Sequence, residues 1–167
     1  MYATKLSANI EALKASRQPL PKALFLNPIP NDVIRHQEKR LGIILRPDET
    51  PLLAVNKKIL GAVGGYAWSG ILITDKALYY KLTKDSFLSG LVAMSVKGCI
   101  PMNQITSLQI GDHDACFGTA YVGHQFVVNG NVLGLLRMGG SIEFDETLID
   151  LLRGLFGDDN KSYAWGN

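Results

Sequence analysis

Apolar residues near the start of the chain recur at helical spacing. Leu6, Ile10 and Leu13 fall at i, i+4 and i+7, which lines one face of a helix over residues 4–16. Pro19 and Pro21 forbid its continuation. Residues 18–30 hold four prolines around Leu24-Phe25-Leu26 and read as an extended connector lying across the main body. Asn31 or Asp32 is placed to cap a second helix, which runs to about Leu41 and stops at Gly42.

From Thr50 onward the period changes to short β-rich runs separated by Gly, Asn and Asp. The predicted strands are Leu52–Lys58, Trp68–Thr74, Ala77–Leu82, Cys99–Met102, Ile105–Ile110, Tyr121–Val128 and Val132–Met138. Asp75-Lys76 makes a tight turn, and Asn129-Gly130-Asn131 is a hairpin signal because Asn and Gly tolerate positive φ. A last helix is expected from about Asp145 to Phe156, capped by Asp145, with Glu146 near the positive end of its dipole. Its apolar positions Leu148, Leu151, Leu152 and Leu155 form one face that must be buried.

Helices, then many antiparallel strands, then one helix predict an α+β chain that is mostly β. Strands alternating with helices, the mark of a parallel sheet, are absent from the pattern. The expected architecture is an antiparallel barrel of about seven strands, closed by the C-terminal helix and preceded by two leader helices. The corresponding division is a helical extension over 1–41, a barrel domain over 42–157 and a tail over 158–167.

Composition narrows the classes of function. The 167 residues are 47% hydrophobic and 19% charged, enough to bury a core and unlike a disordered chain. A net charge of +2 lacks the strong basic excess of a duplex-binding protein, and Arg35, His36, Lys39 and Arg40 read as a solvated helix face, so no nucleic-acid partner is expected. Cys99 and Cys116 form no C-x-x-C pair and no zinc pattern, so neither metal nor cofactor is expected. The N-terminus has no apolar signal-peptide core. The apolar run from Phe87 to Ile100 is interrupted by Lys97 and shorter than the roughly 20 residues of a spanning helix. A cytoplasmic location is the resulting expectation.

Gly70-Ile-Leu-Ile-Thr-Asp-Lys-Ala-Leu-Tyr-Tyr-Lys-Leu82 resembles the second and third strands of bacterial pleckstrin-homology-like domains. Ile100-Pro101-Met102 followed by Ile105 resembles the strand those domains place next, and Leu45-Arg-Pro-Asp-Glu-Thr-Pro-Leu-Leu53 resembles their first-strand approach. The GRAM branch of the same superfold has a similar strand pair. The resemblance covers roughly residues 42–157, about two-thirds of the chain. It implies a fold and a binding role rather than a chemistry. Phosphoinositide-binding members carry bases in both of the first two strands. Here Lys57 and Lys58 match the first part, whereas Trp68-Ser-Gly-Ile-Leu-Ile-Thr74 has none.

The candidate functional residues follow from these patterns. Lys57, Lys58, Tyr66 and Trp68 flank a Gly-rich loop and are the candidate ligand-binding set. Phe87, Leu88, Leu91, Val92 and Met94 form an apolar insertion suited either to self-association or a protein interface or to folding back as a short helix or strand under the leader helices. The expected function is a non-enzymatic module that binds protein or peptide partners, including copies of itself. One alternative is a peripheral module for anionic membrane surfaces. Another is an enzyme built on His113 and Cys116 within Asp112-His113-Asp114-Ala115-Cys116, although a lone histidine lacks a second catalytic partner in sequence.

Overall fold

A computed structural model describes residues 2–60, 66–84, 94–113, 123–137, 142–152 and 155. Helix α1 spans Tyr2–Ala15, and its predicted face is the buried one, with Leu6 and Ile10 enclosed. The proline-rich connector contributes strand β1, Leu24–Leu26, which pairs antiparallel with β2, Pro51–Leu60. Helix α2 spans Asn31–Leu41. Its N-cap is Pro30, and neither Asn31 nor Asp32 makes the expected side-chain cap, because the proline's extended φ and ψ already set the first turn. Gly42 ends it in the left-handed region, φ 69°, its N–H donating to the Glu38 carbonyl as a C-cap glycine does.

Strands β3 (Tyr66–Thr74), β4 (Ala77–Thr83), β5 (Ser95–Pro101), β6 (Leu108–His113), β7 (Gly123–Val128) and β8 (Asn131–Arg137) follow. The sheet runs β1-β2-β3-β4-β8-β7-β6, with β5 also on β4, and curls into an antiparallel half-barrel. Thr83 opposite Leu135 joins β4 to β8. Helix α3 spans Ile142–Leu152. It starts three residues before the expected cap, which puts Asp145 inside the helix rather than at its cap.

The side-chain period of two divides this sheet between two cores. Leu53, Val55, Ile71, Ile73, Leu78 and Leu82 point inward, where they meet Leu6 and Ile10 of α1, Leu148, Leu151 and Leu152 of α3, and Leu155. Ala54, Leu72, Ala77 and Tyr79 point outward and are covered by Ile29 and Leu41, with Val33, Ile34, Ile43 and Leu45 against them. Helices therefore cover both faces of the β2-β3-β4 wall.

Two predicted strands are shifted. The fourth begins at Ser95 rather than Cys99, because β4 offers its whole edge and Thr83 pairs with Ser95, while Met102 turns off into a 3-10 helix, Met102–Gln104. The fifth begins at Leu108 rather than Ile105, because the Thr106 and Ser107 amides donate to the Asn129 side-chain oxygen at 2.7 and 3.2 Å instead of to a ladder. Asn129 and Gly130 both have positive φ and form the predicted hairpin turn.

The residues that carried the pleckstrin-homology resemblance tie the loop before β2 to the β3–β4 turn. Thr74 Oγ1 accepts from the amides of Lys76 and Ala77. Asp75 Oδ1 accepts from Thr50 N at 2.8 Å, and Asp75 N donates to the Thr50 carbonyl. Lys76 pairs with Asp48 and holds that carboxyl below the usual carboxylate range.

Candidate functional site

The outer face of the sheet is assembled from α2, β3, β4 and β5. Trp68 alternates with buried Ser69 on β3 and stands on the outer side, half-buried. The last turn of α2 lays the Arg40 guanidinium over its ring, 3.4 Å from the centroid. Partial burial pulls the Arg40 pKa below its ordinary value, yet a guanidinium remains charged there. One turn earlier, buried Gln37 donates through Nε2 to the Val55 carbonyl at 3.0 Å and pins the helix to β2. That carbonyl projects outward only because residue 70 is glycine: a Cβ there would overlap its oxygen.

Next to Trp68 and Arg40, Lys81 helps line a small recess with Gln37, Asn56 and Gly70. Its volume of about 10 Å3 is close to that of a single water. Lys81 stands directly opposite Lys97 in the β4–β5 ladder, both on the outer face. Like charges directly across a ladder are mutually destabilising. Among the described residues no carboxylate pairs with Arg40, Lys81 or Lys97. The three cations form a basic surface with an aromatic ring at one end.

The backbone of β5 adds a second feature. Lys84 N donates to the Met94 carbonyl at 2.9 Å, and Met102 N to the Lys76 carbonyl at 2.8 Å. With the observed register, Val96, Gly98 and Ile100 must turn their N–H and C=O groups toward β4, so those of Ser95, Lys97 and Cys99 point to the far edge. Among the described residues those edge groups have no partner.

A third cluster is chemically closed. Tyr79 donates its hydroxyl to Glu49, with the two carboxylate oxygens at 2.9 and 3.0 Å, and both residues are buried. Burial, then this bond, pushes the Tyr79 pKa up to about 12. Cys99 lies opposite Tyr79 in the ladder, and burial followed by the Glu49 charge raises its thiol pKa. A thiol so held is a poor nucleophile and a poor metal ligand.

A cleft of about 630 Å3 lies between α1 and α3, lined by Asn9, Leu13, Ser16, Glu146 and Asp150 among others. Several of its polar groups are already engaged: Asn9 Nδ2 donates to the Leu151 carbonyl at 2.9 Å, Ser16 Oγ donates to the Leu13 carbonyl, and Thr147 and Asp150 each hold an interaction of their own. The basic outer face is the better candidate, because its charges are not internally satisfied.

Of the sequence-predicted set, the structure brings only Trp68 into this surface by its side chain. Lys58 pairs with Trp68 and Lys57 with Ser69 in the backbone register, and Tyr66 opens β3, but their side chains lie outside what is described. Phe87, Leu88, Leu91 and Val92 lie outside the described residues; Met94, 39% exposed, leads into β5. His113 ends β6, and Cys116 lies outside the described residues. Arg40, Lys81 and Lys97 were missed as a group. Lys81 and Lys97 both carry the outward parity of their strands, but only the register makes them neighbours. Among the described residues no cluster of histidine, cysteine and carboxylate could hold a metal, and no helix is long and apolar enough to cross a membrane.

No family model, curated protein or solved structure matches the chain. Fold and surface define it as an antiparallel half-barrel with helices on both faces and, on the outer one, a basic patch that no carboxylate of the described residues neutralises.

Proposed function

We propose that the chain is a non-enzymatic binding module of pleckstrin-homology-like type that recognises an acidic segment of a protein partner. The observation that carries this reading is the direct opposition of Lys81 and Lys97 beside Arg40, with no carboxylate of the described residues between them. A protein gains nothing for its own stability by facing two lysines across a ladder, whereas an anionic partner turns the same arrangement into affinity. Trp68 adds a flat, amphipathic contact of the kind enriched at binding hot spots. The closed Tyr79–Glu49 pair and the protonated Cys99 favour binding over catalysis. Self-association through the apolar segment around Phe87, Leu88, Leu91, Val92 and Met94 belongs to the same reading.

The test is fluorescence polarisation with an Asp/Glu-rich synthetic peptide across a salt series, beside sedimentation with phosphatidylserine vesicles. Salt-sensitive peptide binding that Lys81→Glu/Lys97→Glu abolishes is the expected result. Binding to vesicles but not to peptide assigns the surface to membranes, and binding to neither removes the reading. Light scattering checks self-association, which a strictly monomeric chain would rule out.

A further inference from the structure

We propose that the edge of β5, free among the described residues, takes up its partner as an added strand, an extended peptide in which acidic residues alternate with apolar ones. The proposal rests on the binding reading above and supplies its geometry. Ser95, Lys97 and Cys99 each turn one N–H and one C=O toward the open edge, while the residues between them are committed to β4. Such a row of unpaired backbone groups is a template for another strand.

The same three residues carry their side chains on the outer face, and Val96 and Ile100 carry theirs toward the inner core. A strand docked on this edge therefore presents its side chains in the same alternation. The one opposite Lys97 lies on the outer face within reach of its ammonium, with Lys81 one strand further on. A carboxylate there meets two cations. The flanking peptide residues turn inward opposite Val96 and Gly98 and are best apolar. Pro101, which has no N–H, terminates the template.

A lysine on an edge strand also serves to deter unwanted pairing. That role accounts for Lys97 but not for Lys81, which sits on β4, a strand paired along both edges. Two cations at one rung select a partner by charge.

The probe is a soluble synthetic peptide, Gly-Glu-Val-Glu-Val-Glu-Gly, with a second version N-methylated at the glutamates and a scrambled version of equal charge. The full-length protein is titrated with each, and amide hydrogen exchange is followed residue by residue. The expected result is that Ser95, Lys97 and Cys99 amides gain protection at least tenfold while Val96, Gly98 and Ile100, already bonded, change little. N-methylation should remove most of the binding, because it deletes the donors and leaves the charge. Lys97→Glu or Lys81→Glu alone should weaken binding about two- to fivefold. If all three peptides bind equally and no β5 amide gains protection, strand addition is wrong while recognition of acidic segments stands. If none binds and an Asp/Glu-rich peptide also fails, the functional reading falls with it. Because N-methylation alters only the peptide, the result does not depend on a variant folding.

Discussion

At Gly70 the outer face leaves no room for even one carbon, since a Cβ would overlap the Val55 carbonyl oxygen that accepts from Gln37. Gly70→Ala should therefore destabilise the chain by about 1–3 kcal/mol, the usual cost of overpacking, measured by chemical denaturation. Tyr79 makes a prediction of opposite character. An unfolded tyrosine titrates near pH 10, and in the fold the phenol is raised to about 12. The neutral phenol thus contributes stability that is complete below about pH 10 and is lost as pH rises through about 12. Thermal melts should show a decline across that window. Tyr79→Phe should remove that decline while lowering stability at neutral pH, because it leaves the buried Glu49 carboxylate without its donor.

Strand β5 shows where sequence and structure part. Its alternation, Ser95-Val-Lys-Gly-Cys-Ile100, is legible as period two, yet the run sits beside an apolar segment that conceals its start. The hairpin turns at Asp75-Lys76 and Asn129-Gly130 were readable because their chemistry is local. The Lys81–Lys97 rung was not, since it depends on how many residues separate two strands, and that number has no local signature. The short strand β1 was hidden for a related reason: its pairing with β2 crosses a helix and a loop. Removing the like charge gives a test that separates stability from function. Lys97→Glu should raise the stability of the free protein by roughly 0.2–1 kcal/mol in denaturant titrations, while it weakens binding to an acidic peptide. A loss of both, or of neither, would contradict the role assigned to this rung.

Across the whole molecule, the inner core unites the first helix, the sheet and the last helix. Leu6 and Ile10 have 0% and 1% of their surface exposed and lie in one cluster with Leu78, Phe126 and Leu148. The sequence predicted the apolar face of α1 but not what it would meet, because a helix face names no partner. Leu6→Ala should cost about 2–5 kcal/mol in denaturant titrations, as truncation inside a core does. A change below about 0.5 kcal/mol would make the leader a surface appendage instead.

The protonated state of Cys99 has a consequence for that open edge. An exposed thiolate on an unpaired strand would invite a disulfide between two chains that touch there, converting a passing encounter into a covalent one. Cys99 is exposed, but partial desolvation and the nearby Glu49 raise its thiol pKa further, so at neutral pH the sulfur is a thiol, which attacks and oxidises slowly. On the strand-addition proposal, a partner strand at this edge would meet a thiol rather than a thiolate at Cys99.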